Sequence, residues 1–176
     1  MARIPYADET GNPEITALAA QIRAERDGQI PNIYRMLLNS PPVAQGWLNL
    51  LTAVRHKSTL AGRHRELVII RIAVINGAEY ERSIHVPIAR KEGMSDAQIE
   101  AISGWENATV FDDAERAVLA YTDAMTRDVH VSDAVFAAVK KHFDARRITD
   151  LTATIAAYNL VSRFLEALQI DPERRL

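Results

Sequence analysis

At 176 residues with 48% apolar side chains, the chain is long enough to bury a core of its own, and its length suits one domain better than two. A net charge of −2 and a pI near 6.2 offer no field that would gather a polyanion, and the basic pairs Arg63/Arg65 and Arg146/Arg147 are isolated, so no nucleic-acid partner is expected. The absence of cysteine removes disulfides, thiolate nucleophiles and thiolate metal sites, leaving any chemistry to oxygen and imidazole groups.

The opening MARIPYADETGNPEI has no apolar core of signal-peptide length, and no stretch approaches the roughly 18–20 apolar residues of a membrane span. A cytoplasmic protein with no membrane partner is therefore expected. Residues 1–12 are polar and turn-rich and read as an N-terminal surface arm, with one helical domain over 13–176. The first helix is predicted from Pro13, at the favoured first helical position, to about Arg26. Ile30 to Asn39 supplies a short amphipathic piece, and Ser40-Pro41-Pro42 reads as a cap and helix-start prolines leading into a helix over 42–57 with Val43, Trp47, Leu50, Leu51 and Val54 at helical spacing.

The stretch 60–76 is ambiguous, because LVIIRIAVI is apolar and β-branched and Asn76-Gly77 after it is a hairpin-turn signal. No second strand of similar character exists for it to pair with, and a lone strand could not satisfy its backbone hydrogen bonds, so a buried helix is predicted. A helix from Ala78 to Glu92 follows, closed by Gly93, and Ser95 with Gln98 forms a capping box that starts a short helix ending near Gly104. Further helices are predicted over 112–127, opened by Asp112/Asp113, over 132–142, opened by Ser132, and from about 146 to 168, which makes the chain all-α.

Within 78–92, residues four apart share a helical face, so Glu81 and His85 can touch, whereas Tyr80 is five positions from His85 and points elsewhere. Pro87 lies inside this helix and should kink it or free the carbonyl of Ser83 near the histidine. A solvent-exposed acid–histidine pair is also an ordinary surface feature, and a proline bend is common where a helix wraps a core. Glu66 opens the apolar helix and is either a solvated first-turn acid, welcomed by the helix dipole, or a partly buried acid with a raised pKa. His56, His64, His130 and His142 have no metal-ligand spacing, so no metal is expected, and no nucleotide, Rossmann or serine-hydrolase motif appears. Tyr158 and Phe164 fit core packing better than a cofactor box, and no cofactor is expected.

The segment RHRELVIIRIAVINGAEYERSIHVPIARKEGMSDAQI resembles the core of the carboxymuconolactone decarboxylase family, which includes the D-type alkyl hydroperoxidases. ERAVLAYTDAMTRD, VSDAVFAAVKKHF and ITDLTATIAAYNLVSRFLEAL resemble the rest of that domain, so the likeness runs from about Pro31 to Asp171. It implies a single-domain, all-α helical bundle of the alkyl hydroperoxidase D-like type that assembles through its helices into homodimers, trimers or hexamers, with the apolar 60–76 and 151–168 helices supplying the interface. Peroxidase members carry a glutamate, a CxxC and a histidine four positions after the second cysteine. Glu66 and His85 match the glutamate and the histidine, while the two cysteine positions fall on Ala78 and Glu81. Thiol peroxidase chemistry needs a sulfur that can become a sulfenic acid, and neither side chain supplies one.

The resemblance then implies the cysteine-free chemistry of the family: a cofactor-independent, decarboxylase-like lyase or isomerase acting on a small carboxylated or lactone-type substrate. His85 would be the acid–base group, because an imidazole ordinarily titrates near neutrality. Glu66 would orient its ring, Tyr80 would assist catalysis, Arg82 and Glu81 would bind substrate, and Ala78 marks the position of a lost redox cysteine. The alternative is a non-catalytic oligomeric binding protein derived from a peroxidase-like ancestor.

Overall fold

The structure is a computed structural model that describes residues 1–173. All regular structure among the described residues is helical: α1 (Pro13–Glu25), α2 (Asn32–Leu37), α3 (Pro41–Thr52), α4 (Gly62–Asn76), α5 (Glu79–Lys91), α6 (Asp96–Ala101), α7 (Asp113–Asp123), α8 (Asp133–Lys140) and α9 (Ala145–Leu168). One turn of π-helix extends α3 over Ala53–Lys57 and another extends α7 over Ala124–Asp128, and Ile102–Asn107 continues α6 as a 3₁₀ segment. The chain contacts form two compact units, Met1–Lys57 with the chain from Phe164 onward, and Ser58–Arg163.

In the first unit α1 and α2 both pack on α3. Asn12 caps α1 by accepting from the Ile15 N–H, and Pro13 occupies the first turn as its missing donor allows. The expected cap at Ser40 is only half present, since its backbone opens α3 but its side chain makes no capping bond, and Pro41 and Pro42 leave the first turn short of donors to cap. The N-terminal arm is tied along its length: the Arg3 N–H donates to the Leu168 carbonyl at 2.9 Å, the Ala7 N–H to the Arg35 carbonyl at 3.1 Å, and the Tyr6 hydroxyl to Asp171 at 2.9 Å.

In the second unit α4 is the central helix. Its residues from Glu66 to Ala73 are buried without interruption, so the pattern that could pass for a strand belongs to a helix covered on every side. Gly77 adopts the left-handed conformation (φ 67°) and ends α4, with the Ala78 N–H bonded back to the Ala73 carbonyl at 2.9 Å, which is where the Asn76-Gly77 turn signal is spent. The apolar run of α4 from Glu66 to Ala73 is covered within the chain itself. Arg71 crosses this interior fully buried. It grips Asp123 of α7 through two bonds of 2.6 and 2.5 Å and donates to the carbonyls of Ile102 and Ser103, pinning α7 and the 3₁₀ segment to α4. The Ser95/Gln98 capping box opens α6 as predicted, and Asp112 with Glu115 forms a second one at α7, where the buried Glu115 also takes a bond from Arg63 at 2.5 Å.

Candidate functional site

Only Gly77 and Ala78 separate α4 from α5, so the chain reverses there and lays the middle of α5 against α4. That corner brings Glu66 and His85, 19 residues apart, within 2.6 Å (Oε2 to Nδ1). α5 runs unbroken through Pro87, and its first turn has no side-chain cap because Ala78 at the cap position cannot supply one; Glu79 and Glu81 face the positive end of the helix dipole there. Ala78 itself is buried.

Glu66 is 1% exposed, so of the two readings open from the sequence it is not the solvated first-turn acid. Burial pushes its carboxyl up, but the hydrogen bond and charge of His85 and the guanidinium of Arg65 together outweigh burial and hold it below the ordinary carboxylate value, contrary to the raised alternative. Arg65 Nε donates to Glu66 Oε1 at 3.0 Å, and its Nη2 donates to Glu92 Oε1 at 3.2 Å. The Glu92 carboxylate in turn sits against Gly62, so closely that a Cβ there would lie 2.0 to 2.6 Å from its atoms. Glycine at the first position of α4 is what admits this contact.

His85 is held on three sides. Beyond Glu66 at Nδ1, its Nε2 faces Glu81 Oε2 at 3.4 Å, and the Tyr158 ring of α9 meets it edge-on at 5.3 Å and 90°. A carboxylate at Nδ1 fixes the tautomer that carries its proton there, and the exchangeable position is then Nε2. The array is a buried imidazole hydrogen-bonded to one carboxylate, Glu66, and faced by a second, Glu81, whose Oε2 makes no hydrogen bond.

Of the residues singled out in the sequence, the structure brings Glu66, Glu81 and His85 together. Glu81, expected among substrate-binding groups, is buried against the ring. Tyr80 is buried at the first turn of α5, about 140° around the helix from His85. Arg82 lies on the outer side, its side chain 47% exposed and 3.8 Å from Glu79; the two line an open cleft of about 270 Å³ with Glu100 and Ser103, and neither His85 nor Glu66 is among its lining residues. Arg65, Glu92 and Tyr158 were not anticipated. Arg65 had a visible signal in its position beside Glu66, whereas Tyr158 is indistinguishable in sequence from any core aromatic. Among the described residues no group of three or more His, Cys, Asp or Glu is placed to hold a metal, and no helix is long and apolar enough to cross a membrane.

The profile of the carboxymuconolactone decarboxylase family matches residues 41–124. The uncharacterized protein YnjA of Escherichia coli (strain K12) is 34% identical over 148 residues, covering 83% of this chain and 76% of YnjA. Among solved structures, an alkylhydroperoxidase AhpD core, an uncharacterized peroxidase-related protein from Ralstonia eutropha JMP134, superposes with a TM-score of 0.82 at 20% identity over 98% of this chain and 92% of its own. A variant of the debrominase Bmp8 in complex with 2,3,4-tribromopyrrole superposes with a TM-score of 0.80 at 16% identity over 98% of this chain and 94% of its own. The profile lies across the α4–α5 corner that builds the array, and the relative and the two folds extend the likeness well beyond it: the chain belongs to the carboxymuconolactone decarboxylase family, as a member without cysteine.

Proposed function

We propose that this protein is a cofactor-independent acid–base enzyme, a decarboxylase-like lyase or an isomerase acting on a small carboxylated or lactone-type catabolite in the cytoplasm. The observation that carries this reading is the buried imidazole of His85, hydrogen-bonded at Nδ1 to the Arg65-balanced carboxylate of Glu66 and faced at Nε2, at 3.4 Å, by the carboxylate of Glu81. A buried imidazole oriented by a carboxylate at Nδ1, with Nε2 left to exchange a proton, is the arrangement of a general acid–base histidine.

Loss of CO2 beside a conjugated carbonyl leaves an enolate, so the site must hold negative charge and return a proton to carbon. His85, as the imidazolium, is the proton source and is left neutral by the transfer; Glu66 holds its ring in one orientation and stabilises the imidazolium before it donates. Arg82, about 60° around α5 from His85, offers a cation for the substrate carboxylate in exchange for its long contact with Glu79, and Tyr80 supports the same end of the helix. With Ala78 and Glu81 at the cysteine positions, thiol chemistry has no sulfur to start from. Self-association into a dimer, trimer or hexamer fits the exposed Val43 and Leu50, seven residues apart on one side of α3.

The test is a thermal-shift screen of aromatic-catabolite acids and lactones on the wild type and on His85→Ala. Stabilisation by at least one compound that His85→Ala abolishes or weakens supports the reading. Equal stabilisation of both proteins removes His85 from the ligand site, and no stabilisation by any carboxylate or lactone favours the non-catalytic binding protein instead.

A further inference from the structure

We infer that a pocket between the first turn of α4 and the start of α9 is a second ligand site, shaped for a small carboxylic acid with an apolar body, and that Arg147 and His64 are the groups that hold it. It is separate from the Glu66–His85 pair and does not rest on the acid–base reading above. The pocket measures about 210 Å³ and is lined by Thr59, Leu60, Ala61, His64, Phe143 and Arg147. The connection into α4, the first turn of α4 and the junction of α8 with α9 meet there.

Two polar side chains in this pocket have no protein group to bond. Neither ring nitrogen of His64 makes a hydrogen bond among the described residues, although the ring is half-buried and meets Phe143 edge-on at 5.3 Å and 82°. The Arg147 guanidinium makes no hydrogen bond or ion pair among the described residues either; only its backbone N–H is engaged, by Asp144 at 2.8 Å. A solvated arginine alone would mean little. Here the cation shares a cavity with an unpartnered imidazole and with two buried apolar side chains, Leu60 and Phe143.

The acids nearby are already engaged. Glu115 takes a bond from Arg63 at 2.5 Å, Asp112 caps α7, and Asp150, one turn along α9 from Arg147, accepts from the Thr59 N–H and hydroxyl, both at 2.7 Å. The uncompensated charge in the pocket is therefore positive. Burial holds His64 below the ordinary imidazole value, against the raising pull of Glu115 and Asp112, so near neutral pH the ring is uncharged and offers one N–H donor and one lone pair. A planar carboxylate matches this set: its two oxygens take the guanidinium fork, and one of them also accepts from the imidazole N–H. Size separates an organic acid from a bare anion. The volume is that of about seven molecules of liquid water, more than inorganic phosphate fills and below the roughly 300 Å³ at which drug-sized pockets begin. One ring bearing a carboxylate fills it, with its body between Leu60 and Phe143.

The experiment is a titration of the full chain with benzoate, followed by amide NMR, on the wild type, Arg147→Gln, His64→Ala and His85→Ala, with benzamide and inorganic phosphate as comparison probes. Benzoate should move the signals of Leu60, Ala61, Phe143 and Arg147, and should bind the wild type and His85→Ala alike. Arg147→Gln, at an exposed position, should weaken benzoate by roughly tenfold or more, and His64→Ala by several-fold. Benzamide, which has the shape without the charge, and phosphate, which has the charge without the ring, should each bind roughly tenfold more weakly than benzoate. The inference is overturned by the absence of benzoate shifts at those four residues, by an affinity within about threefold of wild type in either pocket variant, or by phosphate binding as tightly as benzoate, which would mark a site for a bare anion. Shifts centred instead on α5 and removed by His85→Ala would place the acid in the site already described, and overturn it equally. Should His64→Ala fail to fold, Arg147→Gln and the benzamide comparison decide alone.

Discussion

Glu66→Gln keeps the shape of the side chain and removes the charge that Arg65 and His85 share. Breaking a buried ion pair by deleting one partner costs about 3–5 kcal/mol. Two features reduce that figure here: Arg65 keeps Glu92 at 3.2 Å, and a glutamine oxygen can still accept from His85 Nδ1. A loss of about 2–3 kcal/mol is expected, which for a chain of this size lowers Tm by roughly 5–10 °C. The pH dependence has a definite sign. Glu66 is held below its ordinary value of 4.5 in the fold, so its stabilisation is fully present above that pH and is lost as pH falls through the folded-state value. Urea denaturation of both proteins, from neutral pH down to about pH 4, should show a constant gap that narrows only toward the acid end. A gap under about 1 kcal/mol at neutral pH, or one that widens on acidification, refutes the charge-balanced picture of Glu66.

Asp123→Ala leaves buried Arg71 with carbonyl partners and the longer ion pair to Glu106 at 3.5 Å, and should cost about 3 kcal/mol in urea denaturation, the low end for breaking a buried pair; a loss below about 1 kcal/mol would mean that the pair does not pin α7 to α4. Gly62→Ala, which in an open helix position would gain about 0.4–1 kcal/mol, should gain nothing, because the new Cβ meets the Glu92 carboxylate. In a Glu92→Ala background the same change should recover that gain, and a double-mutant cycle reads the difference. A peroxidase assay with a dithiol donor should give no turnover above background, since no sulfur is present to be oxidised.

The helices were legible in the sequence wherever their punctuation is local. Pro13, Gly93 and the Ser95/Gln98 box mark ends that the structure keeps, and the same Asp-x-x-Glu pattern at Asp112 was open to a fuller reading than an acidic start to a helix. α4 was recoverable only by asking what a lone strand would pair with. The π-helical turns after α3 and α7 have no pattern that sets them apart from the α-helices they extend. At the site, the Glu81–His85 contact follows from four-residue spacing, but the burial of Glu66 does not, because what offsets it is a bond to a residue 19 positions away. Arg71 was hidden for the same reason: its partner lies 52 residues downstream, and in isolation it reads as an interruption of an apolar run. Tyr158 joins the site through tertiary packing alone.

The central claim is that His85, oriented by Glu66, transfers a proton. Its most direct test is the turnover, by wild type and His85→Ala, of a compound that the ligand screen identifies, with CO2 or the isomerised product measured at matched, saturating concentration. A positioned proton donor contributes roughly 10²–10⁴-fold, so kcat should fall by that factor in His85→Ala. A kcat within about fivefold of wild type, in a variant that folds and binds, would contradict the account.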